Sequence, residues 1–122
     1  MSGYWYLGSP YSKHPRGLTA AHWEVCREAG RLVAAGIAVY SPIAHTHPIA
    51  TLSHMDPLDH NIWLPMDQPL MEAAKGLIVL KLDGWSRSAG LIEEVKYFAS
   101  VYRPIVYMEP GVIPEELLHE RA

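Results

Sequence analysis

The sequence predicts an α/β domain of three layers, with helices on both faces of a mostly parallel sheet of four to five strands. Three observations predict it. Short β-favouring runs, Tyr4–Leu7, Ile37–Tyr40, Gly76–Leu82 and Arg103–Tyr107, alternate with segments of helical period. The runs are almost continuously apolar, as strands covered on both faces should be. The resulting order, strand–helix–strand–loop–helix–strand–helix–strand, places helices between strands and so favours parallel pairing in a flavodoxin/Rossmann-like arrangement.

The first strand, Tyr4-Trp5-Tyr6-Leu7, stops at Gly8-Ser9-Pro10. Over 18–35, Leu18, Ala21, Val25, Ala29, Leu32 and Val33 recur at helical spacing, with Thr19 as the expected N-cap and Ala35-Gly36 as the stop. The second strand ends at Ser41-Pro42. Residues 43–60 show no period and read as a long loop, a length that in a small domain is usually functional or mobile. A second helix is expected over 61–75, with Leu64, Leu70, Met71 and Ala74 turned inward. Pro65 and Pro69 argue for a regular start near Asp67, since proline fits only a first turn. Gly76–Leu82 is the central strand. Residues 88–102 form a third helix with Leu91, Val95, Phe98 and Tyr102 on one face, and 109–122 a proline-rich turn with a short acidic helix or tail.

Length and composition bound the rest. The 122 residues suit a single domain with one core, spanning 1–122. Hydrophobic residues make up 49% and charged residues 19%, a globular balance. A net charge of −3 gives no electrostatic reason to expect nucleic-acid binding. The one cysteine, Cys26, has no partner for an internal disulfide and reads as a buried helix residue. No apolar run reaches the roughly 18 residues of a membrane span. No basic segment precedes an apolar stretch at the N-terminus, so neither a membrane segment nor a signal peptide is expected and the expected setting is cytoplasmic.

The richest stretch for chemistry is 83–99. A strand ends at Asp83, a polar turn follows, and a helix opens at Ser88-Ala89-Gly90. Free amides and the positive dipole end there attract anions, and glycine admits a ligand close to the backbone. On that helix, taking Leu91 as zero, Glu93 falls at about 200° and Glu94 at about 300°. Glu94 therefore flanks the buried face, able to point into a cleft, while Glu93 points to water. Asp83 reads either as a turn or capping residue or as a catalytic carboxylate, and Asp67 either as an N-cap or as a catalytic carboxylate. Carboxylates converging on one cleft permit nucleophilic or acid–base chemistry on a glycosidic bond.

Two other regions carry candidates. Gly8-Ser9-Pro10-Tyr11 is no P-loop, but Gly8 admits a ligand to the backbone and Tyr11 offers a ring for stacking on a base or sugar. His45, His47, His54 and His60 fall close together with Asp56 and Asp59. They read as a solvated loop, as ligand contacts or, with no HExxH and no cysteine beside them, least readily as a metal site. Neither a metal nor a cofactor is expected.

In their order and spacing these motifs resemble the nucleoside 2-deoxyribosyltransferase-like superfamily, which includes N-glycosidases of nucleoside 5′-monophosphates. The likeness runs over residues 4–107. It rests on the strand and turn Tyr6-Leu7-Gly8-Ser9-Pro10, on Asp67 in Asp67-Gln68-Pro69-Leu70-Met71-Glu72-Ala73-Ala74, and on Ser88, Gly90 and Glu94 at intervals of two and four. The sequence departs from the usual Ala-Gly after the first strand, having Gly8-Ser9 instead. The resemblance implies Glu94 as nucleophile on the anomeric carbon and Asp67 as acid/base; Asp83, read from its place at the strand end, is a further catalytic candidate. The resemblance also implies a turn at Ser88 and Gly90 that receives the 5′ end of the ligand, and Ser86, in the same anion-friendly turn, is a further expected contact. A neutral Ser88 tolerates a phosphate there better than an aspartate would, and Arg87 is placed to assist. Gly8, Ser9, Pro10, Tyr11 and His45 complete the expected substrate contacts.

The function expected is cleavage or transfer at the N-glycosidic bond of a nucleoside or nucleoside 5′-monophosphate. The alternatives are a non-catalytic nucleotide or sugar-nucleotide sensor and, through the histidines, a metal-dependent hydrolase. With four Trp and seven Tyr in so short a chain, a homo-oligomer, dimer or tetramer, is expected, with Trp63, Tyr97 and Tyr102 at its interface.

Overall fold

The computed structural model describes residues 3–120. Four strands, β1 (Trp5–Gly8), β2 (Val39–Tyr40), β3 (Gly76–Leu80) and β4 (Ile105–Met108), form one sheet in the order β2-β1-β3-β4, every pair parallel. Five helices surround it: α1 (Leu18–Ala34), α2 (Pro42–Leu52), α3 (His60–Ala73), α4 (Ala89–Ser100) and α5 (Glu115–Glu120). This is the three-layer α/β arrangement the strand and helix order implies. No helix among the described residues is long and apolar enough to cross a membrane. The last two residues of the expected C-terminal segment lie outside the described range.

The two-residue period of the strands divides the core. Trp5, Leu7, Ile78, Leu80, Val106 and Met108 face one way and pack with Val25 and Leu32 of α1 and Leu117 of α5. Tyr6, Leu77 and Val79 face the other way and pack with Leu91 and Phe98 of α4. The central pair β1–β3 is in register Tyr6↔Leu77, Leu7↔Ile78, Gly8↔Val79. Gly8 and the turn into α4 are therefore brought to one end of the sheet.

Several local expectations are corrected. Residues 42–52 form a helix, not a loop: Ser41 caps α2 by accepting from the Ala44 N–H at 3.1 Å, and Pro42 occupies the first turn where its missing N–H costs nothing. Ile43, Thr46 and Ala50 are its buried face, a helical spacing concealed by the interleaved histidines and by Pro48. α3 runs unbroken from His60, capped by Asp59 through the Asn61 N–H at 3.0 Å, so Asp67 is no cap. Pro65 and Pro69 lie on its exposed side, where the carbonyls they leave unpaired can face solvent. Leu64 is exposed and Trp63 buried in its place.

α1 begins after Gly17 without a side-chain cap, which places Thr19 inside the helix. α4 ends at Ser100, and Tyr102 turns outward with φ +58 and 95% exposure instead of joining the buried face. Cys26 is half-buried.

Candidate active site

A cavity of about 710 Å³ opens where the carboxyl ends of β1 and β3 meet the N-terminus of α4. Its walls are the β1–α1 turn (Ser9, Tyr11, Ser12), α2 (Pro42, Ile43, Thr46), α3 (Trp63, Asp67, Met71) and α4 (Ala89, Gly90, Leu91, Glu94). Clefts beyond the carboxyl ends of parallel strands are where open α/β sheets bind ligands. No lysine or arginine lines it among the described residues.

Glu94 is held by packing at Gly8. A Cβ on Gly8 would lie 2.6 Å from Glu94 Oε1 and 2.7 Å from Leu91 Cδ1, so only glycine lets the carboxyl rest against the β1 backbone. Glu94 keeps a partial opening to the cavity, but its carboxyl is screened from bulk water. Burial first, and the Asp67 carboxylate second, push its pKa up to about 8.

Asp67 faces the same cavity from α3. Trp63, Asp67, Leu70 and Met71 make the inward side of that helix at helical spacing. The helix end is fixed to the sheet: Tyr4 Oη donates to the Leu70 carbonyl, and Arg103 Nη1 donates to the carbonyls of Glu72 and, at 2.9 Å, Ala74. Tyr40 Oη donates to Asp67 Oδ1 at 3.3 Å. Burial raises the Asp67 pKa, opposed by that hydrogen bond and by nearby His45. Two carboxylates thus converge and repel, and the more deeply set one, Glu94, holds its proton longer.

The N-terminus of α4 forms a third feature. Ser88 caps it, accepting from the Leu91 N–H at 3.3 Å. The first amides of a helix have no intrahelical acceptor, and here they belong to Ala89 and Gly90, both at the cavity wall. A side chain at Gly90 would meet no protein atom within 4 Å, only open space. Its absence keeps that end of the cavity clear.

The structure sorts the expected residues. Glu94, Asp67, Ser9, Tyr11, Ser88 and Gly90 come together at the cavity, with Gly8 directly behind Glu94. Asp83 does not: it is exposed and pairs with Arg16 at 3.4 Å. The turn after it bends away because Gly84, at φ +94, packs on the backbone of Lys13, where a Cβ would lie 2.2 Å from the Lys13 carbonyl oxygen. Ser86 and Arg87 are exposed in the single 3-10 turn Trp85–Arg87 and do not line the cavity, and Pro10 is buried behind it. His45 is also off the wall, beside Tyr40 at 5.9 Å between ring centroids, where it acts on Asp67. Glu93 stays at the exposed rim, paired with Lys96 at 3.3 Å.

Thr46 lines the cavity without having been singled out from sequence; Tyr6, known only as part of the first strand motif, and His60, one of the clustered histidines, line it as well. The signal for Thr46 was its place three residues after Ile43. Among the described residues no group of three or more His, Cys, Asp or Glu side chains is disposed to hold a metal ion.

Fold and site together define a parallel α/β domain with a two-carboxylate cavity at the ends of its central strands. The chain belongs to the family described as a domain of unknown function, DUF1937, whose model matches residues 3–110. That match takes in all four strands, Asp67 and Glu94. A search of curated proteins gives no match to the chain.

Proposed function

We propose that this cavity binds a nucleoside or nucleoside 5′-monophosphate and that the protein cleaves or transfers its N-glycosidic bond. The observation that carries this reading is the pair Glu94 and Asp67, two carboxylates in one cavity beside the amides of α4. The resemblance of residues 4–107 to the nucleoside 2-deoxyribosyltransferase-like superfamily supports it. Ionised Glu94 attacks C1′, the C1′–N bond breaks, and its electron pair goes to the base nitrogen. That nitrogen takes a proton from Asp67, so the reacting form is the minor one of the pair, in which the carboxyl proton lies on Asp67 and Glu94 is ionised. Water, deprotonated by Asp67, or a second base then opens the glycosyl ester, the sequence expected of a retaining pair. The α4 amides suit a 5′-phosphate.

Incubation of the purified protein with a panel of nucleosides and nucleoside 5′-monophosphates, following free base, tests the reading. Release or exchange of base is expected; its absence across the panel, with folded protein, overturns it. Glu94→Ala should abolish the activity and Glu93→Ala should leave it nearly intact.

A second reading is a nucleotide or sugar-nucleotide sensor without turnover. The proton that Glu94 keeps up to about pH 8 favours it, because a neutral carboxyl donates a hydrogen bond but does not attack carbon. Thermal stabilisation by a nucleotide, with no base released, selects this reading.

The proposal extends to a homo-oligomer, dimer or tetramer, in a cytoplasmic setting. Trp63, expected at the interface, is only 8% exposed and its Nε1 donates to the Asp56 carbonyl at 2.8 Å; Leu64, Met66 and Tyr102 are among the exposed apolar groups that would serve in its place. A single-chain mass in light scattering at micromolar concentration would overturn the assembly.

A further inference from the structure

The cavity brings two carboxyls together with no lysine or arginine to match them. Glu94 and Asp67 both line it, and neither kind of basic residue does so among the described residues. The two are provided for unequally. Asp67 accepts from the Tyr40 hydroxyl at 3.3 Å and is acted on by His45. Glu94 accepts from no donor among the described residues; burial and the Asp67 charge are what act on it. Buried polar groups are ordinarily paired. A carboxyl screened from bulk water, open to a cavity and without a partner points to a ligand that supplies one.

The surrounding groups favour a cation there. Glu93, on the exposed rim, is matched by Lys96 at 3.3 Å and screened by water. Burial raises the pKa of Tyr6, Tyr11 and Tyr40, so these phenols stay neutral. On the positive side stand the exposed His60 on the wall, His45 beside Tyr40, and the partial charge of the α4 amides. None of them bonds to Glu94. Tyr11, Trp63 and Tyr97 bring aromatic rings to the same wall, and the face of such a ring attracts a cation.

We propose that the cavity selects an N-glycoside whose heterocycle carries a fixed positive charge, such as a pyridinium or an N-alkylated purine, and that Glu94 and Asp67 together form its counter-charge. This rests on the reading that the cavity holds a nucleoside. Such a cation favours the doubly ionised pair, because each carboxylate gains an opposite charge that offsets their mutual repulsion. It also removes the demand for a proton. Ionised Glu94 bonds to C1′, the C1′–N bond breaks, and its electron pair neutralises the ring nitrogen, which leaves unprotonated. Asp67, still ionised, takes a proton from water as the water oxygen bonds to C1′ and the bond to Glu94 breaks. A neutral nucleoside instead reacts from the minor form, with the proton moved from Glu94 to Asp67.

Calorimetric titration tests this with two carbon-linked ribosides that cannot be cleaved: the C-riboside of N-methylpyridinium and the neutral tolyl C-riboside of the same shape. At pH 7 the cation should bind the wild-type protein roughly tenfold or more tightly than its isostere. Titrations in buffers of different ionisation enthalpy should show about one proton released per cation bound, since Glu94 otherwise holds its proton up to about pH 8. The isostere should release none. Glu94→Gln should abolish the release, and Asp67→Asn should bring the two affinities closer together. Both comparisons are made between two ligands on one protein, so a loss of stability in a variant cancels.

Equal affinity for the two ribosides, or tighter binding of the neutral one, would overturn the inference; release of base from neutral nucleosides would then leave the proposed function standing. Selective binding of the cation with no base released from any nucleoside, cationic ones included, would keep the counter-charge and overturn the cleavage. Failure to bind either riboside, with no base released, would remove both.

Discussion

The Cα of Gly8 lies so close to the Glu94 carboxyl that a Cβ built on it would stand 2.6 Å from Oε1. A β1 residue and an α4 residue thereby fix one another, through contact rather than a hydrogen bond. Gly8→Ala should displace Glu94 and Leu91, with the buried Leu77 a third neighbour 3.2 Å from the added Cβ, at a cost of about 1–3 kcal/mol of stability. Base release should fall by more than that destabilisation explains, since the protein that remains folded carries a misplaced carboxyl. Denaturant unfolding alongside the base-release assay checks both parts; a wild-type profile in each would mean that the contact positions nothing.

Asp83 should prove dispensable. Its carboxylate is on the surface, paired with the exposed Arg16, and outside the cavity. An exposed pair of this kind is screened and contributes little. Asp83→Asn should leave both base release and the melting temperature at wild-type values. A large loss of activity would place Asp83 in the reaction and refute the two-carboxylate assignment.

The fold was legible because its signals are local and repeated. Trp5–Gly8, Gly76–Leu80 and the helical face of Leu91 and Phe98 announce themselves by period and apolarity. The separation of Glu94 from Glu93 also followed from helix geometry alone. What failed was tertiary. α2 hides its short buried face among histidines, so Thr46 went unseen. Asp83 sits at the predicted strand end, but a glycine packed on a distant backbone, Gly84 on Lys13, turns it outward. The continuous α3 depends on Asp59 as cap and on Tyr4 and Arg103 at its far end, partners remote in sequence.

Stability should depend on pH through Glu94. Its folded pKa of about 8 stands above the ordinary 4.5, so the folded state holds the proton more tightly. The associated stability is fully present below about pH 4.5 and is lost as pH rises through about 8. The shift corresponds to on the order of 5 kcal/mol. Glu94→Gln mimics the neutral carboxyl and carries no charge to desolvate. It should unfold at nearly the wild-type urea concentration at pH 5 and at a higher one at pH 9. Equal differences at the two pH values would mean that Glu94 titrates normally.

The role of Glu94 can be read from the sign of a pH profile once its partner is removed. In the wild type the two carboxyls titrate as a pair, and a nucleophile–acid pair gives the same bell whichever member carries the proton. Asp67→Asn leaves Glu94 as the titrating carboxyl of the two and removes the second cause of its raised pKa, so its midpoint should fall below about 8. A substrate whose leaving base needs no proton bypasses the lost acid. Against that substrate kcat/KM of Asp67→Asn should rise with pH, about tenfold per unit below the midpoint, and level off above it as ionised Glu94 becomes the dominant form. A rate that falls with rising pH would assign Glu94 as the acid and require another group to attack C1′.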